Sequence, residues 1–163
     1  MLDNIKYAVL IIILIIVQKT LIWLIAVTSY DVTPDLVLIG LVHIGMKKGK
    51  IFGSIGGFVT GLIIDLISFS FLGLMALSKA AAGFLSGFFS NPDKVDRYLN
   101  SYIFSIIILV CSVANNIVYF TIYFQGSTLQ FSDILLRYVF PTAVYTSIFG
   151  ILPVIFERRK RIR

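Results

Sequence analysis

Long apolar runs separated by short polar segments make up almost the whole chain. The runs predict six helices, at about 6–27, 33–46, 51–67, 72–90, 100–124 and 134–156. Most of them have about the 20 residues that a helix needs to cross a bilayer, and the second is short for such a crossing. The connecting segments are short, so consecutive helices are expected to pack as antiparallel neighbours. The pattern predicts an all-α integral membrane protein, with residues 1–163 forming a single transmembrane domain.

Composition strengthens the membrane interpretation. Hydrophobic residues make up 58% of the chain, charged residues make up 13%, and the mean hydropathy is +0.97. Soluble domains are about half apolar and about a quarter charged. The formal charge of +6 does not indicate nucleic-acid binding, because the basic residues lie at predicted helix ends. There they are expected to set topology and to contact anionic lipid head groups.

Among the predicted loops, only every second one contains lysine or arginine. They occupy the second loop, the fourth loop and the C-terminal tail, and are absent from the first, third and fifth loops. Because basic loops stay in the cytoplasm, an even number of spans with both termini cytoplasmic satisfies every placement. A four-span alternative, with residues 51–90 re-entrant, stays open. The basic tail, expected to contact anionic lipid or cytoplasmic partners, comprises Arg158, Arg159, Lys160, Arg161 and Arg163.

The third predicted helix carries a stripe of small residues. Gly53, Gly57, Gly61 and Asp65 follow each other at intervals of four, which places them on one helical face. Small residues at this spacing let helix backbones approach closely in lipid. The stripe is therefore expected either to pack against the first or fourth helix of the same chain or to receive a helix from another protein.

Three ionisable residues are expected at one depth in the outer half of the membrane. Counting from the third loop puts Asp65 and Lys79 at nearly the same level, and Lys19 of the first helix lies at a similar level. Opposite charges there should pair, because isolated charges in a membrane are costly. Three interpretations stay open: a structural ion pair of Asp65 with Lys79 or Lys19, an outward-facing polar pocket for a ligand or partner, and a proton relay.

Polar residues elsewhere in the spans have ordinary structural explanations beside any functional one. Thr33, Pro34 and Asp35 predict a helix start with Thr33 as N-cap, proline at the first position and an acid in the first turn. Asn115 and Asn116 lie within the fifth predicted helix, where their amides are expected to bond between helices. Pro141 and Pro153 predict a kinked sixth helix.

Motifs for chemistry are missing from the sequence. It contains no HExxH, GxSxG, Walker or CxxC pattern. It also offers neither a nucleophile with a base in reach nor a pair of neighbouring carboxylates. The expectation is a protein that is not an enzyme and that has no catalytic residues, metal site or cofactor.

The order of several motifs resembles the MreD family of bacterial rod shape-determining membrane proteins. The resemblance is carried by Pro34-Asp35, Gly49, Gly53, Gly57, Gly61-Leu62-Ile63-Ile64-Asp65 and Gly73-Leu74. Length, number of spans and the basic tail also match. Met75 departs from the family pattern, which commonly has a polar residue just after Leu-Gly-Leu.

The resemblance implies a scaffold in the inner membrane that binds MreC within the cell-elongation complex. That complex joins MreB filaments to RodA and its transpeptidase and supports peptidoglycan synthesis. The MreC helix is expected in a groove beside the glycine stripe, with Asp65, Lys79 or Lys19 setting its register.

A transporter subunit is the alternative function. MreD-like proteins resemble in fold the substrate-binding subunits of energy-coupling-factor vitamin transporters, which implies a compact bundle of about six helices. Those subunits dock their energising partner through an Ala-xxx-Ala face on the first helix. The first predicted helix here has only Ala8 and Ala26, which argues against transport.

Overall fold

The architecture is a bundle in which every described regular element is a helix. A computed structural model describes residues 2–25, 33–69, 71–126 and 130–155, and the side chains within these ranges except those of 2–4 and 21–25. The elements are α1 (Leu2–Ile25), α2 (Leu36–Lys48), α3 (Lys50–Ser68), α4 (Leu74–Ser86) with a 3₁₀ turn (Gly87–Phe89), α5 (Val95–Leu99), α6 (Ile103–Tyr123), α7 (Phe131–Ile134), a π-helical turn (Leu135–Val139) and α8 (Phe140–Phe149).

The protein is a membrane protein by the length and apolarity of its helices. Three segments in the described part are long and apolar enough to cross a bilayer: Lys50–Ser68, Ile103–Tyr123 and Phe131–Ile155. The helical segment Leu74–Phe89 is also apolar but shorter. Large apolar side chains such as Ile55, Val110 and Leu136 are exposed on the outer surface, where hydrocarbon rather than water would surround them.

Helix α2 lies in the middle of the bundle. It contacts α1, α3, α4 and α6, and nine of its 13 residues are buried. At 1.5 Å per residue it spans only about 20 Å, less than the roughly 30 Å hydrocarbon core. Its apolar side chains join two clusters, one with α1 and α3 and one with α4 and α6. This helix therefore packs against protein on nearly all sides.

Helices α3 and α4 form the most extensive contact in the bundle, and the glycine stripe makes it. A Cβ atom on Gly57 would lie 2.2 Å from the backbone oxygen of Lys79, and one on Gly61 would lie 2.3 Å from that of Met75. At the other end Gly53 meets Gly83, backbone against backbone. Of the two expectations for the stripe, the structure shows packing against the fourth helix of the same chain. The groove expected beside the stripe is therefore filled by α4.

Helix boundaries differ from the predicted ones where polar side chains or short turns intervene. Helix α2 begins at Leu36 rather than at 33, because Asp35, not Thr33, is its N-cap. The segment predicted as the fourth loop contains the short helix α5, and the fifth predicted helix begins at Ile103 rather than at 100. The end of the first predicted helix lies outside the described residues.

The last apolar segment is interrupted near both of its prolines. The π-helical turn ends at Val139, two residues before Pro141, and α8 ends at Phe149, shortly before Pro153. Proline lacks an N–H and its ring displaces the carbonyl of the preceding turn, which favours a local change of helical repeat. Thr142, which directly follows Pro141, donates a hydrogen bond from Oγ1 to the Tyr138 carbonyl at 2.6 Å.

The backbone contact of the stripe predicts different outcomes at two adjacent glycines. Gly57→Ala should lower the free energy of unfolding by about 1–3 kcal/mol, because the new methyl group overlaps backbone that cannot rotate away. Gly56→Ala is the matched control, since its Cβ would meet only Leu41 Cδ1, at 3.8 Å. Gly56→Ala should stay within about 1 kcal/mol of wild type. Thermal unfolding in detergent measures both, and equal losses would contradict this packing.

Candidate functional site

Asp65 caps the start of helix α4 from a position on α3. Its side chain is fully buried, and its carboxylate accepts hydrogen bonds from the backbone N–H groups of Gly73 (2.9 Å), Met75 (3.1 Å) and Ala76 (3.2 Å). The first N–H groups of a helix have no partner within the helix, and the helix dipole favours a negative charge there. Gly73 turns the chain toward Asp65 with a φ of 99°, a conformation that other residues rarely adopt.

Lys79 pairs with Asp35, not with Asp65 as the sequence suggested. The Lys79 ammonium forms a salt bridge with Asp35 Oδ2, and the two side chains are 1% and 15% exposed. The expectation that Lys79 pairs with Asp65 is therefore wrong. Counting residues from a loop gives the depth of a side chain but not its direction around the helix. At that depth the Asp65 carboxylate accepts hydrogen bonds from backbone N–H groups rather than from the Lys79 ammonium.

Lys19 lies apart from this ion pair. Its Nζ atom is on the exposed side of α1 and donates a hydrogen bond to Ser68 Oγ at 2.5 Å, which links α1 to the last residue of α3. Lys19, Lys79 and Asp65 thus share a region of the bundle but do not form the single ion-pair cluster that was expected.

Asp35 connects three helices. Its Oδ1 atom accepts the N–H of Leu38 at 2.9 Å and so caps α2, while Oδ2 bonds Lys79 on α4. Its own N–H donates to Thr146 Oγ1 of α8 at 3.1 Å. Pro34 directly precedes this junction and lies outside α2 rather than at its first position. Capping and ion pairing explain why a carboxylate stands at this position.

A cavity of about 480 Å³ opens beside Asp35. It lies between the ends of α1 and α2 and the faces of α6 and α8, and Asp65 is not among its lining residues. This cavity is therefore distinct from the polar pocket expected around Asp65, which stays a prediction. Some of the described lining residues are aromatic or apolar, namely Tyr119, Phe120, Tyr123, Phe124, Tyr138 and Met75, and the others are polar, namely Gln18, Thr33, Asp35, Asn115, Asn116 and Thr142.

Two adjacent asparagines, Asn115 and Asn116, are among the residues that line this cavity. Asn116 Nδ2 donates to the Val139 carbonyl at 3.2 Å, which confirms the predicted bond between helices. Asn115 Nδ2 donates to Asn116 Oδ1 at 3.1 Å. The remaining oxygen, Asn115 Oδ1, is buried and accepts no hydrogen bond from the residues that the structure describes. The sequence signalled the asparagine pair, but nothing in it signalled that one amide oxygen would stay unpaired.

Aromatic side chains of α6 and of the π-helical turn also line the cavity. Tyr119 and Tyr123 are stacked one turn apart on α6, with ring centroids 5.6 Å apart and planes inclined by 12°. Tyr138 packs against Phe124 at 4.9 Å. The signal in the sequence was the spacing of four on α6, shared by Tyr119 with Tyr123 and by Phe120 with Phe124.

Three described lysines lie at the end of the bundle opposite to the cavity. Lys47, Lys48 and Lys50, around the junction of α2 and α3, are exposed. Lys50 Nζ lies 3.5 Å from the centroid of the Phe88 ring. The predicted basic tail, Arg158, Arg159, Lys160, Arg161 and Arg163, lies outside the described residues.

Comparison of the chain with models of protein families, with curated proteins and with solved structures finds no significant match. The resemblance noted above therefore remains one of motifs within the sequence.

The Asp35–Lys79 pair predicts a non-additive mutant cycle. Asp35→Asn retains an oxygen that can cap α2 but leaves the Lys79 charge unpaired, so it should cost about 3–5 kcal/mol of stability. Asp35→Asn combined with Lys79→Met should cost less than Asp35→Asn alone, because no unpaired charge is left in the bundle. Unfolding of wild type, Asp35→Asn, Lys79→Met and the double variant in one detergent measures the coupling free energy. Additive losses would show that the two side chains do not depend on each other.

The cap formed by Asp65 predicts local loosening when one carboxylate oxygen is replaced. In Asp65→Asn an amide nitrogen stands where an acceptor stood, so at least one N–H of α4 loses its bond, at about 1–3 kcal/mol. Hydrogen exchange of a peptide covering 71–78 should accelerate in this variant. A peptide from the middle of α6 serves as the internal control, and unchanged exchange over 71–78 would contradict the capping role.

Proposed function

We propose that this chain is a non-enzymatic membrane scaffold of the bacterial cell-elongation complex. In this role it lies in the cytoplasmic membrane, binds the transmembrane helix of MreC and supports rod shape and peptidoglycan synthesis. MreB, RodA and its transpeptidase are further partners within the same complex. The proposal rests on the resemblance to the MreD family.

The observation that favours the proposal is that the separate motifs of the resemblance are physically connected. Asp65, which ends the glycine-spaced segment, caps the helix that starts after Gly73, and Asp35 pairs with a lysine of that same helix. Asp65 and Gly73, two motif residues eight positions apart, contact each other directly, and Asp35 contacts Lys79, a residue outside the motifs on the helix that follows Gly73. The motifs thus describe one structural frame made by α2, α3 and α4.

The proposal includes six membrane crossings with both termini in the cytoplasm. The three long apolar segments supply three of these crossings, and α1, α2 and the Leu74–Phe89 segment supply the others. The exposed lysines between α2 and α3 mark the cytoplasmic side in this arrangement. Protein neighbours on nearly all sides make the shortness of α2 tolerable, because α2 has little contact with lipid.

MreC would have to contact a face other than the glycine stripe, since α4 already covers that stripe. The lipid-facing sides of α3, α6 and the last apolar segment present large exposed side chains, including Ile55, Val110 and Leu136. A single helix of a partner can pack against such a face by shape complementarity, without any hydrophobic gain over lipid.

Site-specific photocrosslinking in living cells tests the scaffold proposal. A photoreactive residue at Ile55, Val110 or Leu136 should give a crosslink to MreC from at least one face, and depletion of the chain should turn rods into spheres. A photoreactive residue at the buried Ile108 is the matched control and should give none. No crosslink from any face together with unchanged cell shape would contradict the proposal.

A transporter subunit is the second candidate, and the cavity beside Asp35 is the observation that favours it. Its size lies within the range of about 300–1,000 Å³ typical of small-molecule sites. In this case the chain would be the substrate-binding subunit of a vitamin-type transporter and would have the helical-bundle fold of such subunits. Purification in mild detergent should then recover an energising transmembrane subunit and ATPases. Recovery of MreC without these components would exclude transport.

A further inference from the structure

We propose that the flank of the bundle beside Lys50 binds an anionic phospholipid, with the phosphate at the Lys50 ammonium and an acyl chain along Phe88 and Phe84. This lipid site goes beyond the scaffold function and does not depend on it. The argument has four parts: the depth of Lys50 in the membrane, an excess of positive charge around it, the ring beneath its ammonium, and the aromatic surface that continues from that ring.

Lys50 lies at the level of the lipid head groups. It is the first residue of α3, a segment long and apolar enough to cross a bilayer, so its side chain stands where that segment leaves the hydrocarbon. The start of α3 packs directly on the 3₁₀ turn after α4, because a Cβ atom on Gly87 would overlap the backbone of Lys50. This contact holds Lys50 next to Phe88, the residue that follows Gly87.

Positive charge exceeds negative charge at this end of the bundle. Three exposed lysines stand at the junction of α2 and α3: Lys47, Lys48 and Lys50. In the segment 93–97 each exposed acid is followed directly by a base or has one as its next neighbour: Asp93 by Lys94 and Asp96 by Arg97. Among the described residues the excess charge therefore comes from the junction, and it attracts an anion. At the depth of the head groups that anion is a lipid phosphate.

The ring beneath Lys50 selects against head groups that carry a positive charge. Lys50 Nζ lies 3.5 Å from the centroid of the Phe88 ring, in a cation–π contact. A choline or ethanolamine ammonium would meet an aromatic face that already holds a cation, and that cation would repel it. A glycerol head group brings the phosphate charge without an ammonium, so the site favours phosphatidylglycerol over phosphatidylcholine.

An exposed aromatic surface continues from Lys50 toward the middle of the membrane. Phe88 is 56% exposed, and Phe84, about one turn earlier on α4, is 44% exposed. Their rings meet edge to face with centroids 5.2 Å apart. Because α4 runs antiparallel to α3, Phe84 lies deeper in the hydrocarbon by about 6 Å. An acyl chain that descends from a phosphate at Lys50 therefore runs along both rings.

Lipid binding to the purified full chain tests this assignment. Native mass spectrometry in one detergent gives separate dissociation constants for dioleoylphosphatidylglycerol and dioleoylphosphatidylcholine, which share both acyl chains and differ in head-group charge. Phosphatidylglycerol should bind to wild type at least about fivefold more tightly, because one basic side chain at a membrane surface contributes roughly that factor.

Two matched lysine variants locate the head group. Lys50→Gln removes the charge at similar length, so it should weaken phosphatidylglycerol binding about fivefold and change phosphatidylcholine binding less than about twofold. Lys94→Gln is the control, because Lys94 is also an exposed lysine at this end of the bundle but directly follows Asp93. Its affinity for phosphatidylglycerol should stay within about twofold of wild type, since exposed and balanced charges contribute little.

Two matched phenylalanine variants locate the acyl chain. Phe84→Ala should weaken the binding of both lipids at least about threefold, because the lost dispersion contacts are with the chain that the two lipids share. Phe140→Ala is the control, because Phe140 is 47% exposed on α8, another helix of the bundle. Both affinities of Phe140→Ala should equal those of wild type.

Each other outcome overturns the proposal. Equal affinity of wild type for the two lipids would mean that the junction lysines hold no phospholipid, and would leave an acidic protein segment as their partner. Equal losses in Lys50→Gln and Lys94→Gln would mean a general attraction to this end of the bundle, without a site at Lys50. Unchanged binding in Phe84→Ala would remove the acyl chain from the aromatic surface. The comparison on wild type stands even if a variant does not fold, and none of these results bears on whether the chain binds MreC.

Discussion

The direct backbone contact between α3 and α4 is the constraint from which most of this structure follows. Two helices approach this closely only if one of them presents no side chains along the line of contact, and Gly53, Gly57 and Gly61 provide such a line. Lipid supplies no hydrophobic force that would hold the pair together, so dispersion contacts between the backbones must do so. The close approach also brings the N-terminal N–H groups of α4 within reach of Asp65, the next residue along the same face.

Asp65 and Asp35 have related tasks. Asp65 caps α4 from a neighbouring helix, and Asp35 caps the helix that it precedes while also neutralising Lys79. Inside a membrane no bulk water can serve exposed N–H groups, so a carboxylate at a helix start replaces that water. The result is a frame in which α2, α3 and α4 are joined by packing, by capping and by one ion pair. A frame of this kind suits a scaffold, whose task is to keep its outer faces in a constant arrangement for a partner.

The cavity lies beside Asp35, and its described lining residues belong to α1, α4, α6, the π-helical turn, α8 and the segment before α2. Its aromatic lining residues and the unpaired amide oxygen of Asn115 are not needed to join α2, α3 and α4.

The sequence by itself determined the helical class, the membrane environment and the presence of a close-packing face. The prediction of a helix at 51–67 agrees with α3 at Lys50–Ser68 to within one residue, because apolar periodicity and small-residue spacing are local properties of a helix. Only the tertiary structure decided that α4 covers the stripe, that Lys79 pairs with Asp35, and that Asn115 Oδ1 stays unpaired among the described residues. Counting residues along a span gives the depth of a side chain in the membrane. It does not give the direction of that side chain around the helix axis, nor which of several hydrogen-bond donors reaches a given carboxylate. A sequence does not show that the backbone N–H groups at the start of a helix can act as hydrogen-bond donors to a distant side chain. Here these groups, and not the Lys79 ammonium, bond the carboxylate of Asp65 on α3.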